Sequence, residues 1–479
     1  MVNSDFHDRF SPDFYVRRPI SQHFHNLRQP TLSIKRIYVK DLFSTFTYDI
    51  GLNVESKITI MTAPNGYGKS TILRMTKEIV NGDYTTLSSR PFREFRITLS
   101  DGRTLGAVRH SDNTVHGPID LVELTGGAGN VIEKHTPTKI TLDDVAVKRK
   151  LSEVLSLNSS LQRIDEDLVY DSISRETLSI QEVIRRFYID DNRNVRSELM
   201  GPIDKIRFEL PLQYVPADRL GAEDVRPESR SSSPRRRMNS TVDNINSMVV
   251  NQVREAMTNY VQESRSLDST FTERILTALS GEVSVSSQPT TEDIVRLTKM
   301  KAEIDESERR YNSLDLSSRF KRTNSRLSME NIKSSAALKV LEMHLEDSRA
   351  KSKSLNSVVQ RLELFTELLT NLYNNKKVEY SQREGLAVRT SQGDEVSLNK
   401  LSSGEKNLLV LYGNLLFNDS ETLVMMDEPE LSLHLEWQMA FLSSIEQIVS
   451  VRPVNVIIAT HSATLIGGRY NLSVDLKDL

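Results

Sequence analysis

The sequence predicts an α/β fold with a mixed β-sheet, an antiparallel β lobe and an inserted α-helical domain. Three observations predict it. A glycine-rich turn at residues 63–70 separates a β-branched run from a helical pattern. Two further apolar runs, at residues 422–427 and 456–460, end in polar or charged side chains. Between the glycine-rich turn and these two runs, residues 242–373 are rich in Glu, Lys, Arg and Ser and poor in Gly and Pro, so a helical block interrupts the β-rich body.

The glycine-rich turn predicts a loop that binds phosphate groups. Backbone N–H groups can wrap a triphosphate closely only where residues lack a side chain, as Gly66 and Gly68 do. Lys69 would bring a positive charge to the β- and γ-phosphates, and the Ser70 hydroxyl would ligate Mg²⁺. The helix that follows points its positive dipole end at the anion. We therefore expect nucleotide contacts from the consecutive residues Asn65, Gly66, Tyr67, Gly68, Lys69, Ser70 and Thr71.

Ala63 is a departure from the usual pattern of such loops, because it stands where their first glycine is found. Gly66 and Gly68 remain, so we expect the loop to keep its function. The alternative for this segment alone is a glycine-rich turn that binds nothing.

Composition and charge exclude several classes of protein. A chain of 479 residues is too long for one simple core, so two or three structural units are expected. The net charge of −3 argues against a protein that binds nucleic acid over its whole surface. No apolar run approaches the ~20 residues that span a bilayer, and no secretory signal is recognisable, so we expect a cytoplasmic protein without membrane contact. The absence of cysteine excludes disulfides, thiol catalysis and Cys-ligated zinc.

Shifts in composition divide the chain into four predicted parts. They are an N-terminal extension at residues 1–30, an N-terminal lobe at 31–220, a helical insertion at 221–376 and a C-terminal lobe at 377–479. In the N-terminal lobe, strands are expected between residues 34 and 50, at 58–61, on either side of Asp101-Gly102 and at 206–212, with helices near 144–157 and 180–188. Because two strands precede the glycine-rich loop, we expect them to join its strand in a mixed sheet.

The helical insertion begins with a Ser/Pro/Arg-rich tract, which predicts a mobile loop near residues 226–240. This loop is either a solvated linker or a contact for a phosphate backbone or an acidic partner. Further on, apolar residues recur at alternating three and four spacing, which predicts an antiparallel helical hairpin or short coiled coil. They are Leu338, Leu341, Leu345, Leu355, Val359, Leu362, Leu369 and Tyr373.

Three motifs near the C-terminal end predict the second half of an active site. Residues 401–407, Leu-Ser-Ser-Gly-Glu-Lys-Asn, open an apolar helix. A buried strand that ends in Asp427 can hold Mg²⁺, and the neighbouring Glu428 can position and deprotonate an attacking water. His461, at the end of another apolar strand, can hydrogen-bond a γ-phosphate and report its loss. Alternatively, the Asp-Glu pair caps a turn and His461 is an ordinary core residue.

In this order, residues 63–70, 401–405, 427–428 and 460–461 resemble the Walker A, signature, Walker B and switch-histidine motifs of ABC-type ATPase heads, which are P-loop NTPases. The long helical insertion is similar to that of the SMC, RecF and OLD branch. This resemblance covers roughly the first 220 and the last 100 residues. It implies ATP and Mg²⁺ as ligands and a head-to-head homodimer or higher oligomer with composite sites.

The resemblance also implies roles for individual residues. Ser402, Ser403 and Gly404 would contact the γ-phosphate bound by a second copy, and residues 431–434 would form a loop at the dimer interface. Ser403 replaces a glycine of the family pattern, and Glu405 replaces a glutamine that is common in transporters. Asp218 stands where the Q-loop glutamine of the family is expected, so it is a further candidate metal ligand.

Several functions fit these motifs. Because no TOPRIM domain is expected after His461, the chain resembles the compact ATPase subunits of bacterial anti-phage systems of the Septu, PARIS and retron-associated types. The leading hypothesis is an ATP-hydrolysing sensor or scaffold that controls a separate effector, a nuclease or toxin, with DNA or a phage protein as further candidate partners. The alternatives are a RecF-like ATPase that acts directly on DNA, and an oligomeric scaffold with little hydrolysis. No Asn-Lys-x-Asp motif of GTPases occurs, no cysteine could form a zinc hook, and we expect no TOPRIM nuclease domain after His461.

Overall fold

A computed structural model describes residues 32–109, 119–124, 131–135, 155, 161–165, 168–171, 176–179, 209–217, 234–280, 290–314, 316, 334–418, 422–452 and 454–479. The strands are β1 Ile34–Leu42, β2 Phe46–Gly51, β3 Ile58–Thr62, β4 Glu94–Leu99, β5 Thr104–Val108, β6 Asp120–Leu124, β7 Val131–His135, β8 Leu161–Asp165, β9 Leu168–Asp171, β10 Glu176–Ser179, β11 Leu212–Val215, β12 Lys376–Ser381, β13 Gly385–Thr390, β14 Glu395–Val396, β15 Leu423–Asp427, β16 Asn455–Thr460 and β17 Ser473–Asp475. The α-helices are α1 Lys69–Asn81, α2 Tyr84–Ser89, α3 Pro234–Ser280, α4 Thr291–Ser313, α5 Ser335–Leu372, α6 Ser403–Phe417, α7 Leu435–Val451 and α8 Ala463–Ile466.

The glycine-rich loop lies at the edge of a five-stranded parallel sheet with the order β11-β15-β16-β3-β17. Asp427 on β15 pairs with Ala459 on β16, and Thr460 pairs with Thr62 on β3. The carboxyl ends of these neighbouring strands therefore meet at one edge of the sheet, where ligands bind in open α/β folds.

Both faces of the parallel sheet are covered, which explains why its strands are continuous apolar runs. Successive side chains of a strand point to opposite faces. Accordingly, Ile58 and Ile60 of β3 pack into one hydrophobic core with helices α3, α5, α6 and α7. Met61 packs into a second core with α1 and the strands of the N-terminal lobe.

The other described strands form antiparallel sheets with the orders β2-β1-β4-β5-β6-β7, β10-β9-β8 and β12-β13-β14. The predicted hairpin at Asp101-Gly102 is confirmed, because β4 and β5 pair on either side of this turn. The prediction that β1 and β2 join the sheet of the loop strand is wrong. They pair with each other and with β4, so parallel and antiparallel strands lie in separate sheets.

Two local predictions are wrong. Of the strand expected at residues 206–212, residues 206–208 lie outside the described ranges, residues 209–211 are not in a strand, and the strand runs from Leu212 to Val215. The Pro211 carbonyl accepts hydrogen bonds from the backbone N–H groups of Thr422 and Leu423, at 3.0 and 3.3 Å, and so sets the start of pairing with β15. The loop expected near residues 226–240 is helical from Pro234 onward, since proline fits the first turn of a helix.

Other predictions fall on residues outside the described ranges. These are the N-terminal extension at 1–30, nearly all of the helix expected near 144–157, the helix expected near 180–188, the first part of the Ser/Pro/Arg-rich loop at 226–233, and Asp218.

The helical insertion contains an antiparallel pair of long helices, α3 and α5. The Arg274 guanidinium donates to both Asp347 carboxylate oxygens at 2.8 and 2.6 Å, and Lys351 Nζ lies 2.6 Å from Asp268 Oδ1. The later residue of α3 thus meets the earlier residue of α5, which shows that the two helices run in opposite directions. No described helix combines the length and apolar character that a bilayer crossing requires.

The predicted apolar stripe of α5 is buried along its length but packs against two different partners. Leu338, Leu341 and Leu345 form a separate cluster with Leu297 of α4. The later members of the stripe belong to the core that also covers the parallel sheet. One stripe therefore stabilises the helical arm at one end and fixes it to the α/β body at the other.

The C-terminal end of α5 is held by hydrogen bonds to two helices of the α/β body. The Tyr373 hydroxyl donates to the Glu405 carbonyl at 2.6 Å, and Lys376 Nζ donates to the Glu405 carboxylate oxygens at 2.7 and 2.9 Å. Trp437 Nε1 donates to the Leu372 carbonyl at 2.9 Å. The base of the helical arm is thus joined to the first turns of both α6 and α7.

A matched pair of leucines tests the packing of the arm. Leu362→Ala should lower the free energy of unfolding by about 2–5 kcal/mol, because it opens a cavity in the core. Leu276→Ala, on the exposed side of α3, should change it by less than about 0.5 kcal/mol. Urea unfolding followed by circular dichroism measures both, and equal losses in the two variants would contradict the assigned packing.

Candidate functional site

The glycine-rich loop connects β3 to α1 and presents its backbone to solvent. Gly66 and Gly68 have φ of +90° and +89°, values that favour glycine. A Cβ on Gly68 would lie 2.6 Å from Leu42 Cδ2, so a side chain has no room there. Pro64 and Asn65 are exposed, and Gly68 is the N-cap of α1. The loop and the helix N-terminus thus form a cradle that suits an anion.

Ala63 is accounted for by its position in this cradle. It is buried in the core beneath the N-terminal lobe, and its backbone does not have a positive φ. Its carbonyl accepts a hydrogen bond from Lys69 Nζ at 2.7 Å. The position therefore requires a backbone oxygen but no glycine, and a methyl side chain is accommodated.

Lys69 lies beneath the loop with its ammonium group enclosed by oxygen atoms. Its side chain is buried, and Nζ also lies 3.4 Å from the Pro64 carbonyl oxygen and 3.6 Å from Glu428 Oε1. The charge is thus held between the loop and the end of β15. The remaining predicted loop residues line the same turn: Tyr67 accepts a hydrogen bond on its carbonyl from the Tyr48 hydroxyl, and Thr71 lies in the first turn of α1.

Ser70 and Asp427 form the direct contact between the loop and the parallel sheet. Ser70 Oγ donates to Asp427 Oδ1 at 2.8 Å. Burial raises the pKa of Asp427, although hydrogen bonds from Ser70 and Tyr214 act in the opposite direction. A hydroxyl and a carboxylate at this distance are the hard oxygen donors that Mg²⁺ prefers, so these residues fit a magnesium ion.

Tyr214 is a site residue that sequence analysis missed. Its hydroxyl donates to Asp427 Oδ2 at 3.1 Å and accepts from Arg74 Nε at 3.3 Å. Burial raises the pKa of Tyr214 to about 12, so the hydroxyl keeps its proton. A tyrosine near the end of a strand is common, and only the pairing of β11 with β15 brings this hydroxyl to Asp427.

Glu428 occupies a left-handed backbone conformation directly after β15, with φ 44° and ψ 55°. Such a conformation is uncommon for a residue with a side chain and persists only where the surroundings hold it. Here the Glu428 N–H donates to the Ala459 carbonyl at 2.8 Å. The turn directs the carboxylate toward both Lys69 and His461.

Glu428 and His461 form a hydrogen-bonded pair at the ends of β15 and β16. His461 Nδ1 lies 2.6 Å from Glu428 Oε2, and the ring nitrogen donates because a carboxylate can only accept. Burial raises the pKa of Glu428, but the neighbouring Glu430 carboxyl, the hydrogen bond from His461 and the charge of Lys69 outweigh it, so that the pKa is lowered. Glu428 is therefore ionised at neutral pH, with His461 half exposed above it.

Glu430 is a second residue that the sequence did not single out. Its carboxyl is buried, and Oε1 accepts a hydrogen bond from the Thr460 hydroxyl. Burial, followed by the neighbouring Glu428 carboxylate, raises the pKa of Glu430 to about 7. Oxygen and nitrogen atoms of Glu428, Glu430 and His461 lie within 4.8 Å of one another, a spacing at which a metal ion could also be held.

The signature-like segment forms the capped N-terminus of α6. The Ser402 hydroxyl accepts from the Glu405 N–H at 3.3 Å, while the Glu405 carboxylate accepts from the Ser402 N–H at 2.8 Å. This reciprocal capping leaves Ser402 and Ser403 exposed, with Gly404 between solvent and core. Their described contacts lead through Glu405 to the base of α5, and not to Lys69 or Ser70.

The structure thus joins Lys69, Ser70, Asp427, Glu428 and His461 in one chain of direct contacts. It places the segment 402–404 at another helix terminus of the same subunit. Asp218, the proposed Q-loop residue, lies outside the described residues.

Beside this site, three apolar side chains are exposed on successive turns. Leu431 lies in the 3-10 helix Pro429–Ser432, and Leu435 and Met439 lie on α7. They are 61%, 63% and 62% exposed. Exposed apolar residues on neighbouring turns are typical of an interaction surface.

Comparisons with known proteins bear on the family of the chain. Among solved structures, it is similar to an Smc head domain with an extended coiled coil, derived from Pyrococcus furiosus and bound to the C-terminal domain of ScpA; the identity is 11%, the TM-score 0.34, and 91% of each chain is covered. It is also similar to an SmcHead bound to the C-winged helix domain of ScpA, with 8% identity, a TM-score of 0.31 and 90% of each chain covered. No curated protein shows a match.

The family defined as AAA ATPase domain, AAA_15, matches residues 34–466. This range includes the glycine-rich loop, the helical arm and the strand-end residues Asp427, Glu428 and His461. The chain therefore belongs to the AAA ATPase domain family.

Proposed function

We propose that this protein binds ATP together with Mg²⁺ and hydrolyses it to ADP and phosphate. The observation that carries the proposal is the hydrogen bond of 2.8 Å between Ser70 and Asp427, at the carboxyl edge of the parallel sheet. It brings together the two oxygen donors that a nucleotide-bound magnesium ion requires, directly beside Lys69 and the glycine cradle. Membership of an ATPase domain family supports the same activity.

Each residue of the site has a separate part in binding. The N–H groups of Asn65–Thr71 and the dipole of α1 receive the phosphates, and Lys69 neutralises the β- and γ-phosphate charge. Ser70 and Asp427 hold the magnesium ion, which supplies polarisation of the phosphate oxygens when bound. Tyr214 orients Asp427 by donating to its second oxygen.

Glu428 acts as the general base in this proposal. Its carboxylate is ionised at neutral pH and lies 3.6 Å from Lys69 Nζ, where it can accept a proton from the attacking water. His461 donates to one carboxylate oxygen and so fixes the direction of the other. Being half exposed, His461 is also placed to contact a γ-phosphate and to respond to its loss.

A second copy of the chain would complete the site. Ser402, Ser403 and Gly404 form an exposed helix N-terminus, a suitable donor surface for a phosphate bound elsewhere. The exposed apolar residues Leu431, Leu435 and Met439 give the contact an apolar component. These two features support a homodimer, or a higher oligomer, that assembles through the heads around ATP.

For the cellular role, we propose control of a separate effector, a nuclease or toxin of an anti-phage system. The motif order and the helical insertion support this role, because they resemble ATPase subunits of such systems. The contacts of Glu405 with Tyr373 and Lys376 support a means of control. They connect the proposed γ-phosphate contact with the base of the helical arm, where a change of nucleotide state can reach a partner.

Purified protein should hydrolyse ATP in the presence of Mg²⁺, as measured by phosphate release. Glu428→Gln should lower kcat by about 10²–10⁴-fold while ATP still binds, because the amide keeps the shape but cannot accept the proton. Lys69→Ala should abolish turnover together with ATP binding. Exposed residues of α5 provide matched controls, and Lys353→Ala and Glu346→Gln should behave like the wild type. Full hydrolysis in both site variants would contradict the assignment.

Tyr214→Phe should shift the Mg²⁺ dependence of turnover to higher concentration by about 10–100-fold, because Asp427 loses a donor that orients it. ATP hydrolysis is measured as a function of free Mg²⁺ at saturating ATP. Tyr470→Phe, on an exposed tyrosine, is the control. An unchanged midpoint for Tyr214→Phe would show that its hydroxyl has no part in the magnesium site.

Charges on the exposed apolar strip should prevent assembly. In a Glu428→Gln background, ATP should convert the protein to a dimer or larger oligomer, detectable by light scattering after size exclusion. Adding Leu435→Glu and Met439→Glu should leave a monomer, because two charges would be buried in the contact. Leu276→Glu, on the arm, should still assemble. Assembly of the double variant would place the interface elsewhere.

A further inference from the structure

Glu430 is a buried carboxyl group that the proposed mechanism does not use. Its side chain is only 5% exposed. Its Oε2 atom has no hydrogen-bond partner within the part of the chain that the structure describes. Burial of an acidic group is unfavourable unless its oxygens are satisfied, and an apolar residue would fill the same space without this cost. The neighbours of Glu430 must therefore explain why a carboxyl group is buried at this position.

Glu430 connects the turn after β15 with the end of β16. Ser462 N–H donates to Thr460 Oγ1 at 2.9 Å, so the single proton of the Thr460 hydroxyl is directed to Glu430 Oε1. The same Glu430 oxygen lies 3.8 Å from His461 Nδ1. The Glu430 carboxyl group thus contacts both Thr460, the last residue of β16, and His461, which follows it.

The other side of Glu430 faces Glu428. An oxygen atom of Glu430 lies within 4.8 Å of an oxygen atom of Glu428, and two carboxyl groups this close disfavour a second negative charge. The raised pKa of Glu430, about 7, and the lowered pKa of Glu428 agree with a protonated Glu430 beside an ionised Glu428.

The backbone between the two carboxyl groups needs such support. Glu428 is held in a left-handed conformation, and a left-handed residue returns to a common conformation unless its surroundings prevent it. The backbone of Glu428 is tied to β16 through the Ala459 carbonyl, whereas its side chain is tied through His461. Glu430 lies beside both contacts, because it is hydrogen-bonded to Thr460 and close to Glu428 and His461.

We propose that Glu430 is a positioning residue whose buried carboxyl group holds the Glu428 carboxylate and the Thr460–His461 strand end in fixed relation. This inference rests on the proposed ATPase function, because Glu428 is the base whose direction it sets. Glu430 itself touches neither the phosphate loop nor the magnesium ligands in its described contacts. Its loss should therefore slow turnover and leave nucleotide binding intact.

Steady-state kinetics separate positioning from a structural role. Glu430→Ala should lower kcat by about 10–100-fold and leave the KM for ATP within about twofold, as for other residues that orient a reacting group. Glu430→Gln should recover most of the rate, because the amide oxygen still accepts from Thr460 and the amide N–H₂ can donate to Glu428. Thr460→Val, which removes the donor to Glu430, should show the same kinetic defect as Glu430→Ala. Glu346→Gln is the control.

A spectroscopic measurement tests the contact without reference to turnover. In protein labelled with ¹⁵N-histidine, the His461 ring signals are identified by their loss in His461→Gln. Glu430→Ala and Thr460→Val should shift these signals, and Glu430→Gln should leave them near their wild-type positions. Unshifted signals together with wild-type kcat in Glu430→Ala would overturn the inference, as would a defect confined to KM or to the melting temperature. Shifted signals in a protein without any ATP turnover would support the positioning role and overturn the proposed function instead.

Discussion

The hydrogen bond between Ser70 and Asp427 is the contact on which the site depends. It joins residues separated by 357 positions in the chain, one at the start of α1 and one at the end of β15. Parallel pairing makes this possible, because β3, β16 and β15 end at the same edge of the sheet in matched register. The two hydrophobic cores that cover the sheet hold this register, so packing on both faces determines the position of the proposed catalytic groups.

The three carboxyl groups near the end of β15 differ in protonation and in their hydrogen-bond partners, because their surroundings differ. Asp427 is surrounded by hydroxyl donors, which suits a metal ligand. Glu428 lies between Lys69 and His461, which keep it ionised. Glu430, two residues later, is buried beside Glu428 and is the member of this pair that favours the proton. Three acidic residues in four positions thus have distinct properties because their neighbours differ, a common route to acid and base functions within one site.

The helical arm is part of the same arrangement. Its apolar stripe packs on the α/β body, while Tyr373 and Lys376 at its base hold the capping residue of α6. Glu405 therefore takes part both in the reciprocal capping of α6 with Ser402 and in the attachment of the arm. If ATP drives assembly as proposed, a movement of α6 would change the contacts at the base of α5. A partner bound to the arm would influence the heads through the same contacts.

The sequence by itself determined the elements with strong local signals: the glycine-rich loop, the hairpin at Asp101-Gly102, the apolar strands and the helical stripe. Spacing and residue chemistry also selected Lys69, Ser70, Asp427, Glu428 and His461, since each follows a strand or opens a helix. Tertiary structure decided what depends on register and burial. Within the described residues it placed parallel and antiparallel strands in separate sheets, set the strand before Pro216 at Leu212–Val215, and showed that position 63 needs no glycine. It also brought Tyr214 and Glu430 into the site, because contacts between distant strands, and not local composition, determine where a hydroxyl or a buried carboxyl group lies.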